Sequence, residues 1–154
     1  YRRQRQMCIR DREANRVREA SDIAQATEFV SKMPKGFQSP IAQGGTNVSG
    51  GQKQRLSIAR AVYRDPEILI FDDSFSALDF KTDREVRDAL KETAKDATKL
   101  IVAQRVGTIM DADCILVLED GKVVGQGTHR ELLETCEVYQ EIAKSQLSEE
   151  ELSA

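Results

Sequence analysis

An α/β layered domain is the architecture this sequence predicts, and three observations point to it. Ile68-Leu69-Ile70-Phe71 and Leu100-Ile101-Val102-Ala103 are short, wholly apolar runs bounded by polar residues, the pattern of strands covered on both faces as in a parallel sheet. Segments with apolar residues at three- and four-residue spacing precede, separate and follow them. Asp120-Gly121, between Ile115-Leu116-Val117-Leu118 and Val123-Val124, is a strong hairpin signal. Strands alternating with helices, closed by one hairpin, belong to the α/β class.

Taken in order, the chain opens on a basic stretch over residues 1–15, followed by Val17, Ala20, Ile23, Ala24, Thr27, Val30 and Met33 at helical spacing. That spacing predicts one amphipathic helix from about Ala14 to Met33. Pro34, Gly36, Pro40, Gly44 and Gly45 make a long loop ending at Asn47. A second helix starts at Ser49 and runs through Leu56, Ala59 and Tyr63 until Asp65-Pro66 stops it. After the first strand, Thr82-Asp83-Arg84-Glu85 reads as a capping box opening a helix through Val86, Ala89, Leu90 and Ala94. Thr128-His129-Arg130-Glu131 is another, starting the terminal helices. His129, the only histidine, reads there as a surface neighbour of the cap.

Composition narrows the possibilities. The 154 residues suffice for one domain with a core, and 40% apolar with 32% charged residues is ordinary for a globular protein. No apolar run reaches the ~20 residues that span a bilayer, and no secretory signal opens the chain. A net charge of -3 leaves no global footprint for nucleic acid. The arginines at positions 2, 3, 5, 10, 12, 16 and 18 read as a solvated edge rather than a phosphate-binding arm, and the tail from 148 is acidic. Cys8, Cys114 and Cys136 are odd in number and widely spaced, which indicates neither a disulfide framework nor a zinc site and suits a reducing setting.

The chemistry is concentrated around Val48-Ser49-Gly50-Gly51-Gln52. Ser49 as N-cap and Gln52 three residues on form a capping box, and two glycines in the first turn clear side chains from the free N–H groups, so a phosphate could approach closely. Lys53 and Arg55 add positive charge. A Gly-Gly helix start alone is weak, because many helices begin so for packing. The context strengthens it. Asp72 ends the first apolar strand, where α/β sheets bind ligands and where a carboxylate can hold Mg²⁺ beside a nucleotide phosphate. Asp73 follows, then Ser76-Ala77-Leu78-Asp79, and the next strand ends at Gln104.

These ordered motifs closely resemble the ABC ATPase family over about Ala20 to Leu133. The resemblance implies a P-loop NTPase-like layered sheet with part of the family's α-helical subdomain. It makes Ser49, Gly50, Gly51 and Gln52 the signature motif, Asp72 the Walker B Mg²⁺ ligand, Ser76, Ala77, Leu78 and Asp79 the D-loop, and Gln104 the stand-in for the switch histidine. It implies residues 16–65 as the remnant of the helical subdomain and 66–147 as part of the ATPase core, with 1–15 not matching the family and 148–154 as a tail. ATP and Mg²⁺ are the implied cofactors. A second cassette, docked head to tail so that this signature serves the partner's ATP, and the transmembrane domains of a transporter are the implied partners. The implied location is the cytoplasmic face of the plasma membrane.

Two departures and one absence modify that expectation. Asp73 stands where well-hydrolysing members carry Glu, drawing the carboxylate back by about one C–C bond, ~1.5 Å, and a catalytic base must lie within hydrogen-bond reach of the attacking water. A misplacement of that size costs on the order of a hundredfold in rate. Gln104 donates a hydrogen bond but cannot become a cation. Together they resemble the degenerate nucleotide site of heterodimeric exporters, with Asp73 and Gln104 as the weakened catalytic pair. No Gly-x-x-x-x-Gly-Lys-Ser/Thr loop occurs, so the expectation is a cassette without its N-terminal half, inactive in isolation. Alternatives are a non-catalytic fragment or a soluble ABC ATPase of DNA repair. The stretch Ile115 to Leu133 is closer to exporter cassettes, and no heptad run is present.

Overall fold

Apolar spacing at three and four residues does produce a helix at the start of the described chain, but two helices rather than one. The computed structural model describes residues 14–148, which divide into two compact units, one running to Leu100 and the other beginning at Ile101. In the first unit α1 spans Ala14–Ile23 and α2 spans Thr27–Ser31. Between them Gln25 takes a left-handed conformation (φ 54), with Ala26 N–H on Ser21 O at 2.7 Å and Gln25 N–H on Asp22 O at 3.0 Å. That is how helices commonly terminate. The Thr27 hydroxyl donates to the Asp22 carboxylate, tying the start of α2 to the end of α1. Arg55 stabilises the break from a distance: its Nη1 donates to Gln25 O at 2.8 Å, and its guanidinium lies 4.8 Å from the Phe29 ring centre. The continuous helix expected from Ala14 to Met33 is corrected accordingly, because a tertiary partner satisfies the interrupted backbone.

Asn47 closes the following loop, accepting from Ala42 N–H at 2.9 Å and donating to Pro40 O at 3.0 Å. Next comes α3 (Gly50–Val62), which buries Ile58 and Ala59 and ends before Asp65, at φ 50. Strand β1 (Ile68–Asp72) buries Leu69 and Phe71, whereas Ile68 and Ile70 are 61% and 64% exposed. Its hydrogen-bonded neighbour is β2 (Thr98–Val102), with Leu100 and Val102 exposed. The expectation of strands covered on both faces fails among the described residues. Such burial needs a layer on each side, and these residues supply a layer for one.

Between the strands runs α4 (Phe80–Thr93), which starts three residues earlier than the expected capping box sets. Its N-cap is Asp79, whose carboxylate accepts from Thr82 N–H at 2.9 Å and from the Thr82 hydroxyl at 2.8 Å. Thr82 is thus the partner of the cap, not the cap. Asp83, buried beside Val86 and Leu90, pairs with Arg87 Nε at 3.0 Å.

The second unit comprises α5 (Val106–Ile109), β3 (Ile115–Glu119), β4 (Lys122–Gly127), α6 (His129–Thr135) and α7 (Glu137–Gln146). Asp120 (φ 48) and Gly121 (φ 74) form the predicted hairpin turn, and β3 and β4 pair antiparallel from Ile115↔Gly127 to Glu119↔Lys122 with a bulge after Val117. Val106, Ile115, Val117, Leu132, Cys136, Tyr139 and Ala143 make its core. The Thr128/Glu131 capping box forms as expected. His129 corrects its surface assignment. It is half-buried, with Nδ1 2.7 Å from the Tyr139 hydroxyl and the two rings edge to face at 5.6 Å.

Candidate functional site

Ser49 leaves the preceding loop in extended conformation (φ -70, ψ 166), which frees its hydroxyl to cap α3. Gln52 N–H donates to Ser49 Oγ at 3.3 Å, and Ser49 N–H donates to Gln52 Oε1 at 3.0 Å. The reciprocal box predicted from the residue types is present, and Ser49 and Gly50 are exposed at the helix start. The glycines also have a packing reason. A Cβ on Gly51 would lie 2.9 Å from the Ala77 carbonyl oxygen, and one on Gly50 would lie 3.7 Å from Ala77 Cβ. The 76–79 turn therefore rests directly on the first turn of α3. Lys53 is exposed, whereas Arg55 is engaged with Gln25 O and the Phe29 ring.

Asp72 ends β1 and Asp73 follows it, both exposed. Asp73 is left-handed (φ 49), and its carbonyl is the hub of the turn that follows. It accepts from Ser76 Oγ at 3.0 Å, from Ser76 N–H at 3.4 Å and from Gln54 Nε2 at 3.1 Å. Gln54 Nε2 also donates to Ser76 Oγ at 3.0 Å, while its Oε1 accepts from Ala77 N–H at 2.9 Å. Phe75, its ring 5.2 Å from Phe71, and Leu78 are the buried anchors of this turn. Asp79 completes it as the cap of α4, its carboxyl held below the usual range by the backbone N–H and then the hydroxyl of Thr82.

The first unit thus brings together Ser49, Gly50, Gly51 and Gln52 with Asp73, Ser76, Ala77, Leu78 and Asp79. Gln54, which the sequence reading passed over, does the joining. The available signal was its position: it shares a helix face with Gly51 and buried Ile58, where an unexplained amide requires partners. Gln104 lies in the second unit, exposed, where Gln146 Nε2 donates to its carbonyl at 2.9 Å and Gln146 Oε1 accepts from Val106 N–H at 2.9 Å. Sequence reasoning missed Gln146 as well. Each loop bearing a candidate catalytic side chain is held by a glutamine from a helix of its own unit.

The chemical capacity of the first unit's surface is phosphate and cation binding. Free N–H groups at the start of a 13-residue helix favour an anion. No group of three His, Cys, Asp or Glu that could form a protein cage for a metal occurs among the described residues. A Mg²⁺ ion needs no such cage, since it retains water and takes oxygen from phosphates beside one or two carboxylates. Asp72 and Asp73 fit that requirement. Two clefts in this unit, one lined by Arg16, Tyr63 and Glu67 and the other by Phe37, Ile41 and Leu56, contain none of the candidate residues. Ser49, Gly50, Asp72, Asp73, Ser76, Ala77 and Asp79 are exposed, whereas Leu78 is buried.

Residues 2–76 match the protein-family model described as ABC transporter, a match that begins inside the basic segment. An uncharacterized ABC transporter ATP-binding protein of Mycobacterium tuberculosis is 50% identical over 128 residues, covering 83% of this chain and 22% of that protein. An ATP-dependent lipid A-core flippase of Vibrio vulnificus is 43% identical over 133 residues, covering 86% of this chain and 23% of that one. The solved structure of a bacterial Atm1-family ABC exporter with ATP bound matches with a TM-score of 0.84 at 35% identity, over 89% of this chain and 24% of that chain. The chain spans 22% to 24% of the length of these relatives.

Proposed function

Because this chain is a stretch of an ABC transporter nucleotide-binding domain, we propose that it is the signature-bearing part of an exporter's ATPase subunit and completes the ATP site of a second cassette. The observation that carries this reading is the exposed, glycine-cleared N-terminus of α3, with the 76–79 turn packed on it. A phosphate-binding surface that is open needs another body to close it. Ser49, Gly50, Gly51 and Gln52 face the γ-phosphate side of the partner's ATP, and the N–H groups and dipole of α3 favour its negative charge. Ser76, Ala77, Leu78 and Asp79 form the seam between the cassettes.

On the subunit's own nucleotide, Asp72 holds Mg²⁺, which when bound neutralises phosphate charge. Asp73 orients the attacking water with a carboxylate one carbon shorter than the more effective glutamate, and Gln104 donates a hydrogen bond without positive charge. The reading is an asymmetric pair of cassettes in which this subunit's own site turns over slowly. The domain works at the cytoplasmic face of a membrane, held by transmembrane domains that also choose the cargo. No helix among the described residues is long and apolar enough to cross a membrane itself. Likeness to the lipid A-core flippase supports a lipid-type cargo.

The test is ATP turnover by the full-length subunit in its transporter. Replacing Asp73 with Glu and Gln104 with His raises hydrolysis at this subunit's own site, by up to about a hundredfold if carboxylate reach is the limiting defect. Ser49→Ala lowers turnover at the partner's site instead. A homodimer of the unaltered subunit hydrolysing ATP at the rate of the doubly restored protein would defeat the asymmetric reading.

A further inference from the structure

The amide of Gln54 makes three hydrogen bonds, all to the loop that follows β1. Nε2 donates to the Asp73 carbonyl at 3.1 Å and to Ser76 Oγ at 3.0 Å, and Oε1 accepts from Ala77 N–H at 2.9 Å. Both ends of the amide are used, in an orientation that only an amide satisfies, because the loop presents acceptors on one side and a donor on the other. The residues held are the ones whose geometry matters. Asp73 lies in a left-handed conformation that its own Cβ disfavours, and the direction of its side chain follows from that backbone. Ala77 is the residue whose carbonyl faces Gly51 across a distance with no room for a Cβ. Gln54 is one turn along α3 from Gly51, so the same helix presents the phosphate-facing turn and grips the acid-bearing loop.

We propose that Gln54 is a positioning residue that locks the Asp73–Ala77 loop to the Ser49–Gln52 turn, so that the surface facing one nucleotide and the surface facing the other move as one piece. The inference rests on the ATP-site reading of both surfaces. Gln54 touches neither nucleotide in that reading; its effect passes through Asp73 and Ala77. Loss of the amide therefore loosens catalytic geometry rather than ATP affinity, and misplacements near 1 Å are enough to lower rates by about a hundredfold.

The experiment is steady-state ATP turnover by the transporter containing the full-length subunit, with Gln54→Met, which keeps the side chain's length without its amide, and Gln54→Glu, which keeps the acceptor for Ala77 N–H but loses both donors. The expected result is kcat reduced about tenfold or more with KM for ATP changed by less than about twofold. In combination with Ser76→Ala, Gln54→Met is expected to lose less than the sum of the two single losses, because the Gln54–Ser76 bond is shared while the Ser76 bond to the Asp73 carbonyl is not. An unchanged kcat in an assembled variant, a KM that rises in step with the loss of kcat/KM, or fully additive losses with Ser76→Ala would overturn the proposal. If Gln54→Met does not assemble, Gln54→Glu decides it on the same readouts; failure of both to assemble makes the amide a folding contact and also overturns it. Ser49→Ala measured alongside separates the two levels. Normal turnover in Ser49→Ala removes the ATP-site reading, whereas loss in Ser49→Ala with normal Gln54 variants removes only the positioning role.

Discussion

Asp73 holds a left-handed backbone that a residue with a Cβ adopts only where its surroundings compel it. Gln54 Nε2, Ser76 Oγ and Ser76 N–H, all directed at its carbonyl, supply that compulsion. Gly51 shows the complementary constraint, a side chain that must be absent. The missing Cβ leaves 2.9 Å to a backbone oxygen, and backbone yields less easily than the end of a flexible chain. Gly51→Ala is therefore expected to push the 76–79 turn off α3 and to lower ATP turnover of the full-length transporter about tenfold or more, through the same misplacement argument. The corresponding Gly50→Ala meets Ala77 Cβ at an ordinary 3.7 Å and is expected to change turnover far less. The residue types at 49–52 made the capping box legible from sequence, since Ser and Gln at that spacing have a local geometry to satisfy. The reason for Gly51 was not legible, because Ala77 lies 26 positions along the chain and reaches it only through folding.

Secondary-structure elements were legible where their determinants are local. The Asp120-Gly121 turn and the Thr128/Glu131 cap formed as their residues dictate. They were misread where another element decides. Arg55, 30 positions away from Gln25, supports the break between α1 and α2, and Asp79 displaces Thr82 as the cap of α4. Packing of α6 and α7 onto the β3–β4 hairpin gives two predictions. Leu132, 1% exposed, contacts the place of Gly125, where an added Cβ would lie 3.0 Å from Leu132 Cδ2 and 2.7 Å from Cys136 Sγ. Leu132→Ala is expected to lower the stability of this unit by about 2–5 kcal/mol, read as a shift in its urea-unfolding midpoint. His129 supplies a pH dependence. Burial lowers its pKa from the ordinary 6.5; Asp111 opposes this and Arg130 reinforces it. The unfolded chain then takes up a proton at His129 before the folded chain does, so stability falls as pH drops through about 6.5 toward the lowered value. Unfolding midpoints measured on both sides of pH 6.5 should show this slope in the parent and a flatter one in His129→Gln.

At the scale of the whole molecule, the candidate groups divide between the units: the acids, the α3 turn and the 76–79 turn belong to the first, and Gln104 to the second. Each group is fixed within its own unit, by Gln54 in one and Gln146 in the other. Asymmetry between two cassettes is a prediction at this scale, because it concerns which subunit lends which surface. Restoring Glu at 73 and His at 104 is expected to act on one ATP and Ser49→Ala on the other, so single-site nucleotide trapping in the two-cassette transporter should separate them. The sequence by itself determined the α/β class, the hairpin, the capping boxes at Ser49 and Thr128, and the family to which the motifs belong. All of these depend on residue type and short spacing, which act before any long-range contact forms. Only the tertiary structure decided that α1 ends at Ile23, that β1 is covered on one face among the described residues, and that Gly51 must lack a side chain. It likewise decided that Gln54 holds the Asp73 loop to α3. Those outcomes turn on contacts between residues distant in sequence, which only folding brings within bonding or steric reach.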